Sequence, residues 1–203
     1  MSKVILSRVL SFLVMSCFSL SVFAVDESSY THNDLTEKTV MNNTDALSLS
    51  GTTIKKRFFF KVYRLSHFME KPKGDFPTRD SLITFILNAN TQQRIELEFL
   101  RDVTRDQIEE ALMQGIEQNN ANSDLSQIKQ DIERLSSGFQ DEVKKHSTLK
   151  LSRLSKEKLK VFFNNTLVVE TESKALADAL WSIWFGEDPI VDTEDLVQNI
   201  LIH

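Results

Sequence analysis

The stretch that decides the fold is Gly51–Met69, GTTIKKRFFFKVYRLSHFM. From Ile54 to Met69 it carries Phe58, Phe59, Phe60, Val62 and Tyr63 and has no glycine or proline. Aromatic and β-branched side chains fit a pleated, half-buried surface, so Ile54 to Met69 reads as one long strand. Strand side chains alternate between faces. The even positions Ile54, Phe58, Phe60 and Val62 are apolar and suit a buried face, whereas Lys55, Arg57, Phe59, Lys61 and Tyr63 mix cations with aromatics. Gly51 marks a turn or bulge ahead of the strand, and Lys71-Pro72-Lys73-Gly74 ends it.

Downstream, Leu82 to Leu87 reads as a second strand and Arg94 to Leu100 as a third. The period then changes. Thr104-x-x-Gln107 has the form of a capping box, and Ile108, Ala111, Leu112 and Ile116 follow at helical spacing. Asn119 to Asn122 breaks this helix, and Leu125, Ile128, Ile132, Leu135 and Phe139 outline a second, so that the two pair through one apolar stripe each. Strand character returns at Thr148–Leu154. Leu159–Phe163 and Thr166–Glu170 form a hairpin around Asn164-Asn165, since asparagine tolerates the left-handed backbone of a tight turn. Ala175, Leu176, Ala179, Leu180, Ile183 and Trp184 make a helical stripe that stops at Gly186 and Pro189. Asp192 or Thr193 then caps a last helix carrying Leu196, Val197, Ile200 and Leu201. Antiparallel strands with segregated helices indicate an α+β domain over residues 45–203.

The first 24 residues are composed differently. Lys3 and Arg8 precede an uncharged apolar run, Val9 to Phe23, that closes at Val22-Phe23-Ala24. These are the parts of a secretory signal peptide, and the run is shorter than the ~20 residues of a membrane span. The expected product is an exported, periplasmic protein with no integral span after cleavage. Val14-Met15-Ser16-Cys17 also has the outline of a lipoprotein box, which would instead anchor the chain at Cys17, although the apolar run continues past it. Residues 25–44 are polar, without periodicity, and read as a flexible lead-in. Cleavage removes the only cysteine, so neither disulfides nor thiolate chemistry is expected. It also takes the formal charge from −5 to −7. So acidic a domain is a poor partner for nucleic acid, and its net charge does not draw it to anionic lipid.

Three blocks carry a resemblance. Gly51–Met69 looks like the first long hairpin of the chalcone isomerase-like family, with its glycine before a Phe-Lys-Val-Tyr stretch. Arg94–Ile108, RIELEFLRDVTRDQI, is similar to that family's strand-to-helix junction. Ala175–Leu201, with WSIWFGEDPIVDTEDLVQNIL, resembles its C-terminal helix, Gly-x-x-Pro turn and last helix. The bacterial exported members are the nearest in character. The resemblance implies an open-faced β-sandwich: a large antiparallel sheet covered on one face by helices, with a cleft between them. True chalcone isomerases close a flavanone ring there, using a strand arginine with hydroxyl and amide groups around the ketone oxygen. By position the arginine falls on Lys55, the strand threonine on Tyr63, the helix tyrosine on Ile108, the helix asparagine on Gly115 and the C-terminal hydroxyl on Ile183. Stabilising an oxyanion requires donors placed in advance, and isoleucine and glycine side chains supply none. Nor does a lysine reproduce the planar two-pronged contact of an arginine. No isomerase catalytic residue is therefore expected.

Two readings of the remaining polar pair stay open. Lys55 and Tyr63 are eight residues apart and so share a face of one strand, where a cation and a phenol would hold the carboxylate of a fatty acid or similar apolar acid, as plant non-catalytic relatives are thought to do. Ile108, Gly115 and Ile183 would then line the cleft. Alternatively Lys55, Arg57 and Lys61 form a solvated face with Phe59 and Tyr63 packed between them, and the chain is a cell-envelope interaction or structural module whose cleft its own side chains fill. An enzyme of unknown reaction is the third reading. Arg101 is expected to pair locally, Asp102 to favour a helix N-terminus by its charge, and Trp181 and Trp184 to pack, Trp184 within the apolar stripe. His32, His67, His146 and His203 share no metal-ligand spacing, and with five glycines no phosphate-cradling loop is in sight, so neither metal nor cofactor is expected.

Overall fold

The computed structural model describes residues 47–121 and 123–201. The expected leader at 1–24, with Cys17, and the lead-in at 25–44 lie outside the described residues.

Gly51–Met69 is the hairpin that the family resemblance implies, not the single strand that its composition suggests. β1 (Ser48–Arg57) and β2 (Phe60–Met69) pair antiparallel, with Arg57 opposite Phe60 and only Phe58 and Phe59 between them. The reversal carries no glycine or asparagine; Phe58 itself takes φ 54°. The inward face is also the other one: Tyr63, Leu65, His67 and Met69 are buried, whereas Phe58 and Phe60 are exposed. A one-residue change of phase moves every side chain of a strand to the opposite face, and the odd positions hold the longer run of residues able to form a core.

Leu82 to Leu87 is likewise helix, not strand. It lies in α1 (Arg79–Asn88), where Thr78 accepts a hydrogen bond from the Ser81 N–H at 3.2 Å, and Leu82 and Ile86, one turn apart, are buried. β3 (Gln93–Phe99) follows, then β4 (Val103–Thr104) and α2 (Arg105–Asn119). The capping box at the start of α2 is present as read: the Gln107 N–H donates to Thr104 Oγ1 at 3.2 Å and the Thr104 N–H to Gln107 Oε1 at 3.1 Å. α3 (Ser126–Ser136) and the two-residue β5 (Glu142–Val143), paired with β4, lead into β6 (Thr148–Arg153), β7 (Lys158–Phe163) and β8 (Thr166–Glu172). Asn164 and Asn165 turn between β7 and β8 with φ 47° and 66°. α4 (Lys174–Phe185) and α5 (Thr193–Val197) close the chain, the latter capped by Asp192.

Six strands form one antiparallel sheet in the order β1-β2-β3-β6-β7-β8. One face is apolar: Leu65, Ile95, Leu97, Leu149, Leu151, Leu159 and Val161 are buried, with α4 among them carrying Leu180, Trp181, Ile183 and Trp184. The other face holds ion pairs across the strands, Arg64 with Glu98, Lys150 with Glu96 and Lys160 with Glu170. The α+β architecture, a large antiparallel sheet clad by helices on one side, is the one expected. α5 is seated against β1 through Gly51, where a Cβ would lie 2.1 Å from the Asp195 carbonyl oxygen. The Ser50 hydroxyl beside it lies 2.9 Å from the Leu196 carbonyl oxygen.

Candidate functional site

Between the β1–β2 hairpin, α2 and α4 the helices stand off the sheet and leave a cavity of about 540 Å³. All five positions singled out in the sequence, Lys55, Tyr63, Ile108, Gly115 and Ile183, line it. Lys55 and Tyr63 share a face because they sit opposite one another on adjacent strands, not because they lie eight residues apart on one. The register shifts there, with Lys55 facing Tyr63 and Lys56 facing Lys61, so Val62 is the extra residue of a bulge. A bulge lets consecutive side chains point the same way, and both Val62 and Tyr63 reach the cavity.

The floor is apolar. Leu97, Phe99, Leu112 and Leu149 come from sheet and helix, and Gly115 meets Ile183 so closely that a Cβ would lie 2.8 Å from its Cγ2. Tyr63 is only 8% exposed, and its oxygen accepts a hydrogen bond from the Trp184 indole N–H at 3.2 Å. Burial pushes the phenol up to about 12, against the smaller opposing pull of that hydrogen bond. The hydroxyl therefore stays protonated and can donate, not accept charge. Lys55 is half-buried, and its ammonium donates to the Ile190 carbonyl at 2.6 Å. Burial lowers its pKa, because a desolvated ammonium with a neutral partner has lost water and gained no counter-charge.

Lys56, Arg57 and Arg101 are exposed and line the rim. With Lys55 they put four cations around the cavity, and no aspartate or glutamate lines it among the described residues. Sequence reasoning placed Arg101 in a local pair. It lies instead over the Phe60 ring, 5.5 Å from the centroid. Its neighbour Asp102 accepts from the Lys145 N–H at 2.7 Å, which holds that carboxyl below the usual range, and it ties a loop instead of serving a helix start. Trp184 packs in the core as read, but also furnishes cavity wall and the tyrosine's partner. Trp181 is buried elsewhere, donating to Gln93 Oε1 at 2.6 Å. Among the described residues no cluster of three metal-ligating side chains occurs, and no helix is long and apolar enough to cross a membrane.

The family model described as chalcone isomerase-like matches residues 30–201. The chain belongs to the chalcone isomerase-like family. A crystal structure of a fatty-acid binding protein of Arabidopsis thaliana has a similar fold, with a TM-score of 0.63 at 18% identity over 77% of this chain and 89% of that one. Among curated proteins no relative matches. Within the chalcone isomerase-like fold the cavity lies in the cleft that the resemblance implied. Ile108, Gly115 and Ile183, onto which the sequence resemblance carried an isomerase's helix and C-terminal polar groups, give this wall only hydrocarbon and bare backbone.

Proposed function

We propose that the protein is a non-catalytic carrier or sensor of an apolar molecule with an anionic head, a fatty acid or its like, held in this cavity. The observation that carries the reading is the pairing of an apolar floor with four cations and no carboxylate in a chain of net charge −5. A hydrocarbon tail gains roughly 0.8 kcal/mol for each methylene taken out of water, and the cation set offers the head a counter-charge where the medium is less polar than water. A carboxylate at Lys55 would exchange the neutral Ile190 carbonyl for a charged acceptor and could also take the Tyr63 proton in a hydrogen bond. The cavity volume falls within the roughly 300–1,000 Å³ of small-molecule sites, which speaks against a cleft filled by its own side chains. The binding activity named for the Arabidopsis thaliana protein agrees with this reading.

The bare wall at Ile108, Gly115 and Ile183 supports an absence of isomerase activity, since nothing there would stabilise a developing oxyanion. Export is part of the proposal and rests on residues 1–24 alone; sequencing the N-terminus of the protein recovered from the cell envelope tests it, with Val25 expected first. The cavity is tested by titrating a fluorescent fatty acid into the wild type and into Lys55→Ala. A loss of about tenfold in affinity is expected for one charged contact. Equal affinities, or cyclisation of a chalcone well above the buffer rate, would remove the basis for the proposal.

A further inference from the structure

The β1–β2 hairpin ends in Phe58, Phe59 and Phe60, which are 85%, 96% and 63% exposed. A phenylalanine carries roughly 150–250 Å² of surface, so the tip leaves on the order of 400 Å² of contiguous ring in water. Apolar patches of that size on a soluble protein mark interaction sites. None of the three belongs to the hydrophobic core of the described residues. Phe58 even occupies φ 54°, a region comfortable for glycine and strained for a bulky residue.

Immediately behind the rings come Lys56, Arg57 and Lys61, with Arg101 leaning over Phe60. Among the described residues none of these four joins an ion pair. No aspartate or glutamate occurs between Thr52 and Met69. Salt screens charges beyond roughly 8–10 Å, so a partner at the tip meets these cations and not the net charge of −5. Net charge, which argued against anionic lipid, is the wrong quantity at this scale.

We infer that the hairpin tip is a docking point for an anionic lipid bilayer, the three rings entering the acyl boundary and the lysines and arginines meeting lipid phosphates. The order of chemistry along the hairpin matches that of a leaflet seen from within: apolar first, then charge, then water. The rings stand exposed at the end of a hairpin, so a protein partner would need a greasy pit with an acidic collar, whereas a bilayer offers that sequence of layers everywhere. Docking rests on the tip alone. One corollary rests on the cavity reading as well: Lys56 and Arg57 belong to both surfaces, so a docked hairpin would bring the cavity rim to the head-group level and spare an apolar cargo the passage through water.

Flotation of the full chain with phosphatidylcholine vesicles, with and without phosphatidylglycerol, tests the docking without any cargo. The wild type is expected to float with the anionic vesicles, to be released by salt, and to ignore the neutral ones. Phe58→Gly/Phe59→Ser should float at least tenfold more weakly with an unchanged or raised melting temperature, and Lys61→Gln roughly fivefold more weakly. A second readout is independent of what residues 1–24 do: in Phe59→Trp, brominated phosphatidylglycerol should quench the new tryptophan. Absence of that quenching overturns the inference. So does flotation that the tip variant matches, or sedimentation showing that the rings join two copies of the chain while vesicles are left unbound.

Discussion

At the scale of single residues the most consequential buried polar group is His67. Its ring is fully enclosed, stacked edge-on to Phe185 at 4.7 Å, with the Ser50 hydroxyl 2.5 Å from Nδ1 and Gln93 Oε1 3.4 Å from Nε2. One donor and one acceptor satisfy a neutral imidazole, and burial depresses the pKa to about 3, against a small opposing effect of the Gln93 bond. The unfolded chain takes up a proton near 6.5, the folded one only near 3, so the unfolded state binds more protons in between. Stability contributed by the neutral ring is fully present above pH 6.5 and declines as pH falls toward 3. Urea unfolding should give about 2 kcal/mol less stability at pH 5 than at pH 8, and His67→Gln should flatten that slope whatever it does to stability at pH 8. By spacing alone this histidine is not expected to ligate a metal; that it sits in the core is hidden by the phase of its strand. Lys55 and Tyr63 were legible as a pair, yet through a geometry of one strand that the hairpin replaces, and Trp184's bond to Tyr63 joins residues 121 apart that no local pattern connects.

Secondary-structure elements were readable where the signal is local and chemical. The Thr104–Gln107 capping box and the Asn164-Asn165 turn are written in residue types whose side chains or backbone freedom form the feature. Two elements lacked such marks. Leu82–Leu87, a six-residue apolar run, is equally compatible with a buried strand or a helix, and the deciding residue, Thr78, stands four positions upstream as a cap. The Phe58-Phe59 reversal uses no turn former at all, so nothing in composition divides β1 from β2. An L-residue with a left-handed backbone costs roughly 1–2 kcal/mol, and Phe58→Gly should recover about 1 kcal/mol of it after glycine's own entropy loss. Chemical denaturation would read that gain directly. A loss instead would mean that the ring supports the turn.

For the molecule as a whole, the first strand and the last helix of the described residues are joined at β1. Gly51 admits the backbone of Asp195 and Leu196, the Asn199 N–H donates to the Ser50 carbonyl at 2.9 Å, and Thr53 donates to the Asp195 carboxylate at 3.0 Å. Gly51→Ala would place a methyl within the Asp195–Leu196 peptide and lift α5 from the sheet. A cost of about 2–3 kcal/mol in equilibrium unfolding is expected, together with faster hydrogen exchange in residues 193–201. Tolerance of alanine there would show that α5 is held by its other contacts.

A sheet whose outer side is wetted and paired in charge has a single side on which to keep oil. How much it keeps is then decided by the stand-off of its helices, and Gly115 is the gauge: its missing side chain lets α2 settle onto Ile183 of α4 at van der Waals range. Larger residues at that one point would act as spacers between the two helices, and relatives with roomier or tighter chambers need differ from this one by little more than a few carbons in a helix seam.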